Sequence, residues 1–349
     1  MKAFYSAEQS LHHPKFYMKN GKAIAARELP ERGEIFLSSL SGMEIPVEPA
    51  QDFGPGVLAR VHSPDYLHFL EHVYGQWQQL PDASEEIIPK SNPSRYASSY
   101  PTDIIGRVGW HLMDTSCPVG PGTWKGAYAS AQTAQTAADY VARGESRYAY
   151  ALCRPPGHHA YPDGAGGFCF LNNSAVAAER LRETYERVAI IDIDLHHGNG
   201  TQAIFWRRRD VMTVSLHADP AGCYPHYWGY SHERGEDDGY GYNLNIPLPD
   251  GTGDDAFLEA LETALQQVNA FAPDAIVIAQ GLDASEQDPF AVLAITTEGY
   301  RRIGDRLRQL DKPTVIVQEG GYISPILGDN LAAILSNFAD DTVENRSHV

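Results

Sequence analysis

The sequence has little cysteine and no excess of positive charge. Its 349 residues include four cysteines, none of them spaced as a CxxC pair: Cys117, Cys153, Cys169 and Cys223. This spacing argues against a zinc ribbon, and in a reducing compartment we expect free, buried thiols. Lysine and arginine number 27 against 45 aspartates and glutamates, a net charge of −18. Nucleic acid is therefore not expected as a partner, because phosphate binding depends on clustered cations.

Long apolar runs are also absent. No stretch reaches the ~18 consecutive apolar residues that a bilayer span needs, and the first residues lack the apolar core of a secretory signal. We therefore expect a cytoplasmic protein without a membrane partner. Residues 1–338 are predicted to form one domain with a long loop at about residues 86–121, and residues 339–349 a polar tail.

Short apolar runs alternate with amphipathic segments along the second half of the chain. The runs are rich in valine and isoleucine and too short for helices, which is typical of buried parallel strands. They cover residues 148–153, 188–194, 211–216, 275–280 and 314–318. The segments predicted as helices cover residues 123–143, 173–186, 201–208, 254–271 and 297–310. This pattern predicts an α/β fold, an open parallel sheet with helices on both faces.

Polar residues of catalytic type follow each apolar run. The segments are RPPGHH (154–159), DIDLHHGNG (192–200), SLH (215–217), GLDASEQDP (281–289) and EGGY (319–322). Ligands bind at the carboxyl ends of strands in an open α/β sheet. The active site is therefore expected where these segments meet.

The DIDLHHGNG segment contains a candidate metal site. Asp192, Asp194 and His196 are two residues apart, so they point to one side as the strand ends. Such a pair of aspartates, taken alone, more often caps helices and turns, but Asp283 follows another predicted strand and can join them. Two carboxylates and one imidazole suit a catalytic Zn²⁺, Fe²⁺, Co²⁺ or Mn²⁺ ion. Asp288 is expected to cap a turn rather than to bind the metal.

Further residues suit proton transfer and charge stabilisation. His158 and His159 follow a rigid Pro-Pro-Gly turn, and imidazole titrates nearest neutrality. Asp192 and Asn199 are the expected partners for their other ring nitrogens. Tyr322 follows two glycines and is either a packed aromatic residue or a donor to the oxyanion of amide hydrolysis.

Together these segments resemble the histone deacetylase superfamily, and within it the bacterial acetylpolyamine amidohydrolases. The likeness covers about residues 6–337 and includes RPPGHHA, GGFCFLNN, DIDLHHGNGTQ, SLHADP, NIPLPDGTGD and EGGY. It implies a zinc-dependent deacetylase of the arginase–deacetylase fold. It also implies a homodimer that acts on a small, cationic acetylated amine.

The resemblance assigns a role to each matching residue. The implied Zn²⁺ ligands are Asp194, His196 and Asp283. The implied catalytic residues are His158, His159, Tyr322, Asp192 and Asn199. The implied substrate-binding residues are Gly167, Phe168, Tyr224 and Gly320. The implied potassium (K⁺) sites are Asp192, Asp194, His196, Ser215 and Leu216 for the first ion, and Phe205, Arg208, Val211 and Tyr242 for the second.

One departure concerns substrate length. The segment 86–121 has Ile104, Ile105 and Ser116 where a polyamine enzyme would be expected to offer carboxylates. The acids nearby are Asp103 and Asp114. The sequence therefore favours short acetylated diamines, such as acetylputrescine or acetylcadaverine, over spermine derivatives.

Three alternatives remain at this point. A protein lysine deacetylase uses the same core chemistry but needs an open rim for a polypeptide. A ureohydrolase of the arginase type needs a second metal with further carboxylates, and only one aspartate is suitably placed after the fourth run. A sensor of acetylated ligands would not need Tyr322 or the histidine pair, and all of them are present.

Overall fold

The structure is a computed structural model that describes residues 1–339, and strands alternate with helices along much of it. The strands are β1 Lys2–Tyr5, β2 Phe16–Lys19, β3 Lys22–Ala25, β4 Val47–Pro49, β5 Tyr148–Ala151, β6 Val188–Asp192, β7 Val211–Ala218, β8 Asn243–Leu248, β9 Ala275–Gln280 and β10 Thr314–Gln318. The helices are α1 Glu31–Gly42, α2 Leu58–Val61, α3 Pro64–Trp77, α4 Ile104–His111, α5 Thr123–Ala142, α6 Asn173–Arg182, α7 Asn199–Phe205, α8 Asp254–Phe271, α9 Thr297–Arg308 and α10 Leu327–Ala339.

A parallel sheet forms the centre of the fold. Within residues 1–339 it has eight strands in the order β4-β1-β5-β10-β9-β6-β7-β8, and β2 and β3 form a separate antiparallel hairpin. The five predicted strands are β5, β6, β7, β9 and β10, which are adjacent in the middle of the sheet. The predicted α/β fold is therefore confirmed, and the carboxyl ends of these five strands share one edge.

Helices cover both faces of the sheet, because side chains of the central strands alternate between two apolar clusters. In β6, Val188 and Ile190 belong to the cluster that contains α3, α5 and α6. Ala189 and Ile191 belong to the cluster that contains α1, α8, α9 and α10. A strand buried on both faces has a continuous apolar sequence, which explains why these strands could be predicted.

Helix α5 packs closely on the sheet because it is rich in alanine. Ala131, Ala134 and Ala137 are completely buried, with exposures of 0%. Short side chains let the helix approach its neighbours, and it contacts β1, β5, β10 and α6. The helix predicted over residues 123–143 ends one residue earlier, at Ala142.

The segment 86–121 is more regular than the loop predicted from the sequence. It contains α4, whose first turn is capped by Asp103, since the Gly106 N–H donates to the Asp103 carboxylate at 2.9 Å. Ile87 pairs with Val119, so the two ends of the segment lie together. The prediction of an irregular segment is thus wrong for residues 104–111.

Strands β1, β4 and β8 were not predicted from the sequence. β1 and β4 have four and three residues, too few for a clear alternating pattern. β8 contains Pro247, which lacks a backbone N–H and is tolerated because β8 is an edge strand. Residues 340–349 of the predicted polar tail lie outside the described residues, and Ala339 ends α10.

The cysteines agree with their prediction. All four are buried and free. The Sγ–H groups of Cys153 and Cys169 donate weak hydrogen bonds to the carbonyls of Ser130 and Gly167, at 3.3 and 3.4 Å.

Among the helices of residues 1–339, none combines the length and apolar character needed to cross a bilayer.

The packing of α5 predicts a penalty for a larger side chain at Ala134. Ala134→Leu adds methyl groups at a position of 0% exposure, so the free energy of unfolding should fall by about 1–3 kcal/mol. Urea denaturation followed by circular dichroism measures this change. The control is Ala256→Leu at an exposed position of α8, which should change the free energy by less than about 0.5 kcal/mol. Equal effects of both substitutions would contradict the packing argument.

Candidate active site

The polar segments that follow the central strands meet around one cavity. Its volume is about 630 Å³. The predicted site residues that line it are His159, Gly167, Phe168, His196, Tyr224 and Tyr322. The carboxyl edge of the sheet therefore brings together side chains from separate loops, as the strand order requires.

Asp194, His196 and Asp283 form the candidate metal centre at this cavity. One ligand atom of each lies within 4.8 Å of those of the other two. Nδ1 of His196 is 3.3 Å from Oδ1 of Asp194 and 3.2 Å from Oδ2 of Asp283. Both carboxylates are buried, with exposures of 1% and 0%. The loops after β6 and β9 thus place the three predicted ligands next to one another.

The charges of this cluster suit a bound cation. Burial raises the pKa of Asp283, and the negative charge of Asp194 raises it further. Burial disfavours the His196 imidazolium, but the two carboxylates outweigh burial and raise the pKa of His196 well above its usual value. The cluster therefore attracts positive charge. A divalent metal supplies that charge, and two carboxylates with one imidazole are ligands it accepts.

Two glycines allow neighbouring loops to approach these carboxylates. The Gly320 N–H donates to Oδ2 of Asp194 at 2.8 Å, and a Cβ at position 320 would lie 2.4 Å from Oδ2 of Asp283. A Cβ at Gly281 would lie 2.2 Å from Oδ2 of Asp194. A side chain at either position would displace a carboxylate. Gly320, which the resemblance assigns to substrate binding, contacts these acids and is not part of the cavity lining.

His158 and His159 lie side by side next to the candidate metal centre, with ring centroids 4.0 Å apart. Nδ1–H of His158 donates to Oδ2 of Asp192 at 2.9 Å, and Nδ1–H of His159 donates to Oδ1 of Asn199 at 2.6 Å. The Asn199 amide nitrogen donates to the Tyr161 hydroxyl at 2.8 Å, which orients the amide oxygen toward His159. Because that oxygen only accepts, Nε2 of His159 keeps its lone pair. Each histidine has the partner expected from the sequence.

The two histidines differ in charge because their surroundings differ. Burial lowers the pKa of both rings. For His158, the carboxylates of Asp194 and Asp192 outweigh burial and raise the pKa to about 10. For His159, the positive charges of His158 and His196 add to burial and hold the pKa well below its usual value. These surroundings favour a charged His158 and a neutral His159, and two groups whose pKa values are pushed apart commonly divide acid and base roles between them.

Glu319 is a buried acid that the sequence reasoning did not single out. Its exposure is 0%, and its carboxylate accepts hydrogen bonds from the Gly157 N–H (2.6 Å), the His158 N–H (3.0 Å) and the Ser174 hydroxyl (2.7 Å). Burial raises its pKa to about 7, although the charge of His158 opposes the increase. Glu319 directly follows β10, so the signal that identified Asp192, an acid at the end of a buried strand, could have found it.

Tyr322 lines the cavity and is held by two charged residues. Its N–H donates to Oδ2 of Asp288 at 2.7 Å, and the Arg32 guanidinium lies 4.9 Å from the centre of its ring. Burial raises the pKa of Tyr322 well above its usual value, so its hydroxyl stays protonated and able to donate. Asp288 also accepts from the Phe290 N–H at 2.8 Å, so it caps a turn and braces two loops.

Aromatic side chains form much of the cavity wall. They are Tyr17, Phe168, Tyr224 and Phe290. The ring of Phe168 is 5.2 Å from that of Tyr17 and 6.2 Å from that of Phe290, two residues that sequence reasoning did not single out. Gly167 lets the wall approach the histidines, because a Cβ there would lie 2.2 Å from a ring carbon of His159.

The segment 86–121 reaches the cavity through Asp114, Thr115 and Ser116. Oδ2 of Asp114 accepts hydrogen bonds from the Tyr224 hydroxyl at 2.7 Å and the Gly167 N–H at 3.1 Å. This acid therefore fastens the wall in place. The residues of the segment that form the cap and first turn of α4, and do not line the cavity, are Asp103, Ile104 and Ile105.

The two candidate potassium sites differ in their surroundings. Asp192 and Ser215 are paired across β6 and β7, and both line a small cavity of about 10 Å³. At the second site, the Phe205 carbonyl accepts from the Arg208 N–H at 2.9 Å, and the Tyr242 carbonyl accepts from an N–H of β7 at 3.0 Å. A carbonyl oxygen has a second lone pair, so these contacts are compatible with cation binding.

Sequence comparison agrees with this geometry. The histone deacetylase domain matches residues 26–338. An acetylpolyamine amidohydrolase from Burkholderia pseudomallei is 44% identical over 97% of this chain and 98% of its own length. A protein of the same name from Mycoplana ramosa is 38% identical over 97% of this chain and 100% of its own length.

Solved structures show the same relationship. A crystal structure of acetylpolyamine aminohydrolase from Burkholderia pseudomallei has a TM-score of 0.94 and 43% identity, and the match covers 97% of this chain and 99% of that one. The HD domain of HDA15 has a TM-score of 0.80 and 26% identity, and the match covers 98% of this chain and 92% of that one. Because the domain and these relatives match nearly the whole sequence, the chain belongs to the histone deacetylase family.

Proposed function

We propose that the protein is a metal-dependent amidohydrolase that removes acetyl groups from acetylated polyamines or short diamines, and so releases acetate and the free amine. The observation that carries the proposal is the position of the histidine pair, His158 and His159, beside the cluster of Asp194, His196 and Asp283. This arrangement supplies both a metal site and a general base at one cavity. Similar relatives bear the name acetylpolyamine amidohydrolase.

We propose Zn²⁺ as the ion on Asp194, His196 and Asp283, with Fe²⁺ or Co²⁺ as alternatives that suit the same donors. When bound, the metal would polarise the acetyl carbonyl and lower the pKa of water toward ~7. The chain orients the ligands itself, since the Leu195 N–H donates to Oδ1 of Asp283 at 3.0 Å and the Gly320 N–H donates to Asp194 at 2.8 Å. Such partners hold carboxylates in position for an ion.

The proton transfers would be carried out by residues of the chain. Nε2 of His159 is unprotonated, so it accepts a proton from the attacking water and then delivers it to the leaving amine. His158 is held positive by Asp192 and Asp194 and stabilises the negative charge that develops nearby. Tyr322 donates its hydroxyl hydrogen to the acetyl oxygen as charge builds on that oxygen.

The cavity chemistry supports a small cationic substrate. A net charge of −18 attracts cations, and fields focus in clefts. Phe168 and Tyr224 would flank the methylene chain, and Asp114 adds a negative charge to the wall. Because the segment 86–121 contributes a single acid to the lining, we propose acetylputrescine or acetylcadaverine rather than a spermine derivative.

A homodimer, structural potassium ions and a cytoplasmic location complete the proposal. The segment 86–121 exposes Tyr96 (77%), Ile105 (45%) and Tyr100 (39%), and clustered exposed apolar side chains often mark an interface. The small cavity that Asp192 and Ser215 line supports the proposal of the first potassium ion. Four free cysteines are typical of a reducing compartment.

A substrate panel tests the proposed function. The Zn²⁺-loaded enzyme should hydrolyse acetylputrescine with a kcat/KM at least about tenfold above that for an acetyl-lysine peptide, which corresponds to about 1.4 kcal/mol. Acetate release is the measurement. Higher salt should lower kcat/KM for acetylputrescine but not for neutral N-butylacetamide, because screening weakens only the charged interaction. A tenfold preference for the peptide would instead support a protein lysine deacetylase.

The candidate metal centre predicts that Asp283→Ala loses both bound metal and activity, because one of three ligands is removed. Metal content by plasma mass spectrometry and acetate release measure the two effects. Asp219→Ala is the matched control, since Asp219 is exposed and follows β7 at the same edge of the sheet. It should retain its metal. Full activity of chelated, metal-free protein would overturn the proposal.

The position of Tyr322 predicts that Tyr322→Phe lowers kcat by about 10²–10³, the usual effect of losing one oxyanion donor. Metal content should not change. Tyr224→Phe is the comparison, because its hydroxyl donates to Asp114 and is not needed for the oxyanion, and kcat should fall far less. A Tyr322→Phe enzyme within about twofold of the parent would assign Tyr322 to packing alone.

A further inference from the structure

Residues of the hairpin β2–β3 line the cavity, and two of them, Lys19 and Asn20, are exposed to solvent and so mark the mouth of the cavity. Tyr17, Met18, Lys19 and Asn20 all line the cavity. Asn20 and Gly21 form the two-residue turn with positive φ values of 52° and 76°, and Lys19 pairs with Lys22 across the strands. Asn-Gly turns of this type match the twist of a hairpin and fix its register. The backbone position of Lys19 is thus set by the hairpin itself.

The hairpin is fastened to the rest of the molecule on two sides. The Met18 N–H donates to the Thr115 carbonyl at 3.2 Å, which joins the hairpin to the segment 86–121. The ring of Tyr17 packs edge-on against Phe168 at 5.2 Å, and Tyr17 is buried. Lys19 is therefore held at the mouth by an anchored element.

Among residues 1–339, no acid forms an ion pair with Lys19. The Lys19 ammonium lies 5.7 Å from the centre of the Phe290 ring. Asp114 also lines the cavity, but its oxygens accept from Gly167, Tyr224 and Ser116. Of the other lining residues, His226 lies in an exposed loop and the remaining titratable groups belong to the catalytic end or the wall.

We propose that Lys19 is a specificity-determining residue that limits the number of positive charges, and hence the length, of the amine that the site accepts. This inference rests on the proposed function. The single ammonium of acetylputrescine ends within the cavity, whereas the outer ammonium groups of an acetylated spermine extend toward the hairpin. There they meet the like charge of Lys19, whose ammonium already lies 5.7 Å from the centre of the Phe290 ring, an aromatic face that could otherwise attract a substrate cation.

The experiment compares Lys19→Gln with Lys22→Gln. Both substitutions remove one positive charge from the same hairpin, but Lys22 is exposed and does not line the cavity. For each Zn²⁺-loaded protein, kcat/KM is measured with acetylputrescine and with N1-acetylspermine. In Lys19→Gln the ratio of acetylspermine to acetylputrescine should rise by about fivefold, equivalent to about 1 kcal/mol of like-charge repulsion. The gain should come mainly from KM and shrink at high salt.

The outcomes separate this inference from the proposed function. An unchanged ratio in Lys19→Gln, or an equal rise in Lys22→Gln, would overturn the role of Lys19 while the parent enzyme still hydrolyses acetylputrescine. A parent enzyme that hydrolyses neither amine but accepts an acetyl-lysine peptide would overturn the proposed function, and the inference with it. A rise confined to Lys19→Gln supports both.

Discussion

The structure depends on how it accommodates buried negative charge at the carboxyl edge of the sheet. A buried carboxylate is costly unless it is paired or hydrogen bonded. The acids buried there are Asp192, Asp194, Asp283, Asp288 and Glu319. Each of them accepts a hydrogen bond from a loop that follows a strand other than its own. Asp192 and Glu319 accept from the loop after β5, at His158 and Gly157. Asp194 and Asp288 accept from the loop after β10, at Gly320 and Tyr322, and Asp283 accepts from Leu195 in the loop after β6. These hydrogen bonds therefore join the loops after β5, β6, β9 and β10 into one connected surface, the floor of the cavity.

The same charges determine the chemistry that the floor can perform. The acids raise the pKa of His158, and the charge of His158 together with burial lowers the pKa of the adjacent His159, which favours a neutral ring there. Arg32 places a positive charge beside the ring of Tyr322. It is completely buried, pairs with Glu28 at 2.8 Å and donates to the Gly321 carbonyl at 2.5 Å. The loop that carries Tyr322 is thus held between the Arg32 cation and the Asp288 carboxylate. Away from these loops, aromatic side chains and Lys19 line the cavity.

Much of the fold could be predicted because the central strands are buried on both faces. The pattern predicted β9, β10 and α8 with the bounds that the structure has, since each is a long or continuous apolar signal. It did not predict β8, where Pro247 breaks the signal, or α4, which has eight residues in a segment rich in turn-forming residues. Short elements at an edge depend on tertiary contacts more than on local preference.

The sequence by itself determined the five central strands, the acids and histidines at their ends, and the family, whereas the order of the strands in the sheet came from the structure. Two-residue spacing and the positions after buried strands are local properties, and they identified Asp194, His196 and the histidine pair. Only the tertiary structure decided that Glu319 supports that pair, that Phe290 joins the wall, and that Lys19 stands at the mouth. These residues are far apart along the chain, and no local pattern specifies which distant loops pack together. Their positions are set where the loops at the carboxyl edge of the sheet pack together, because each loop must fit the charges and the volume of its neighbours.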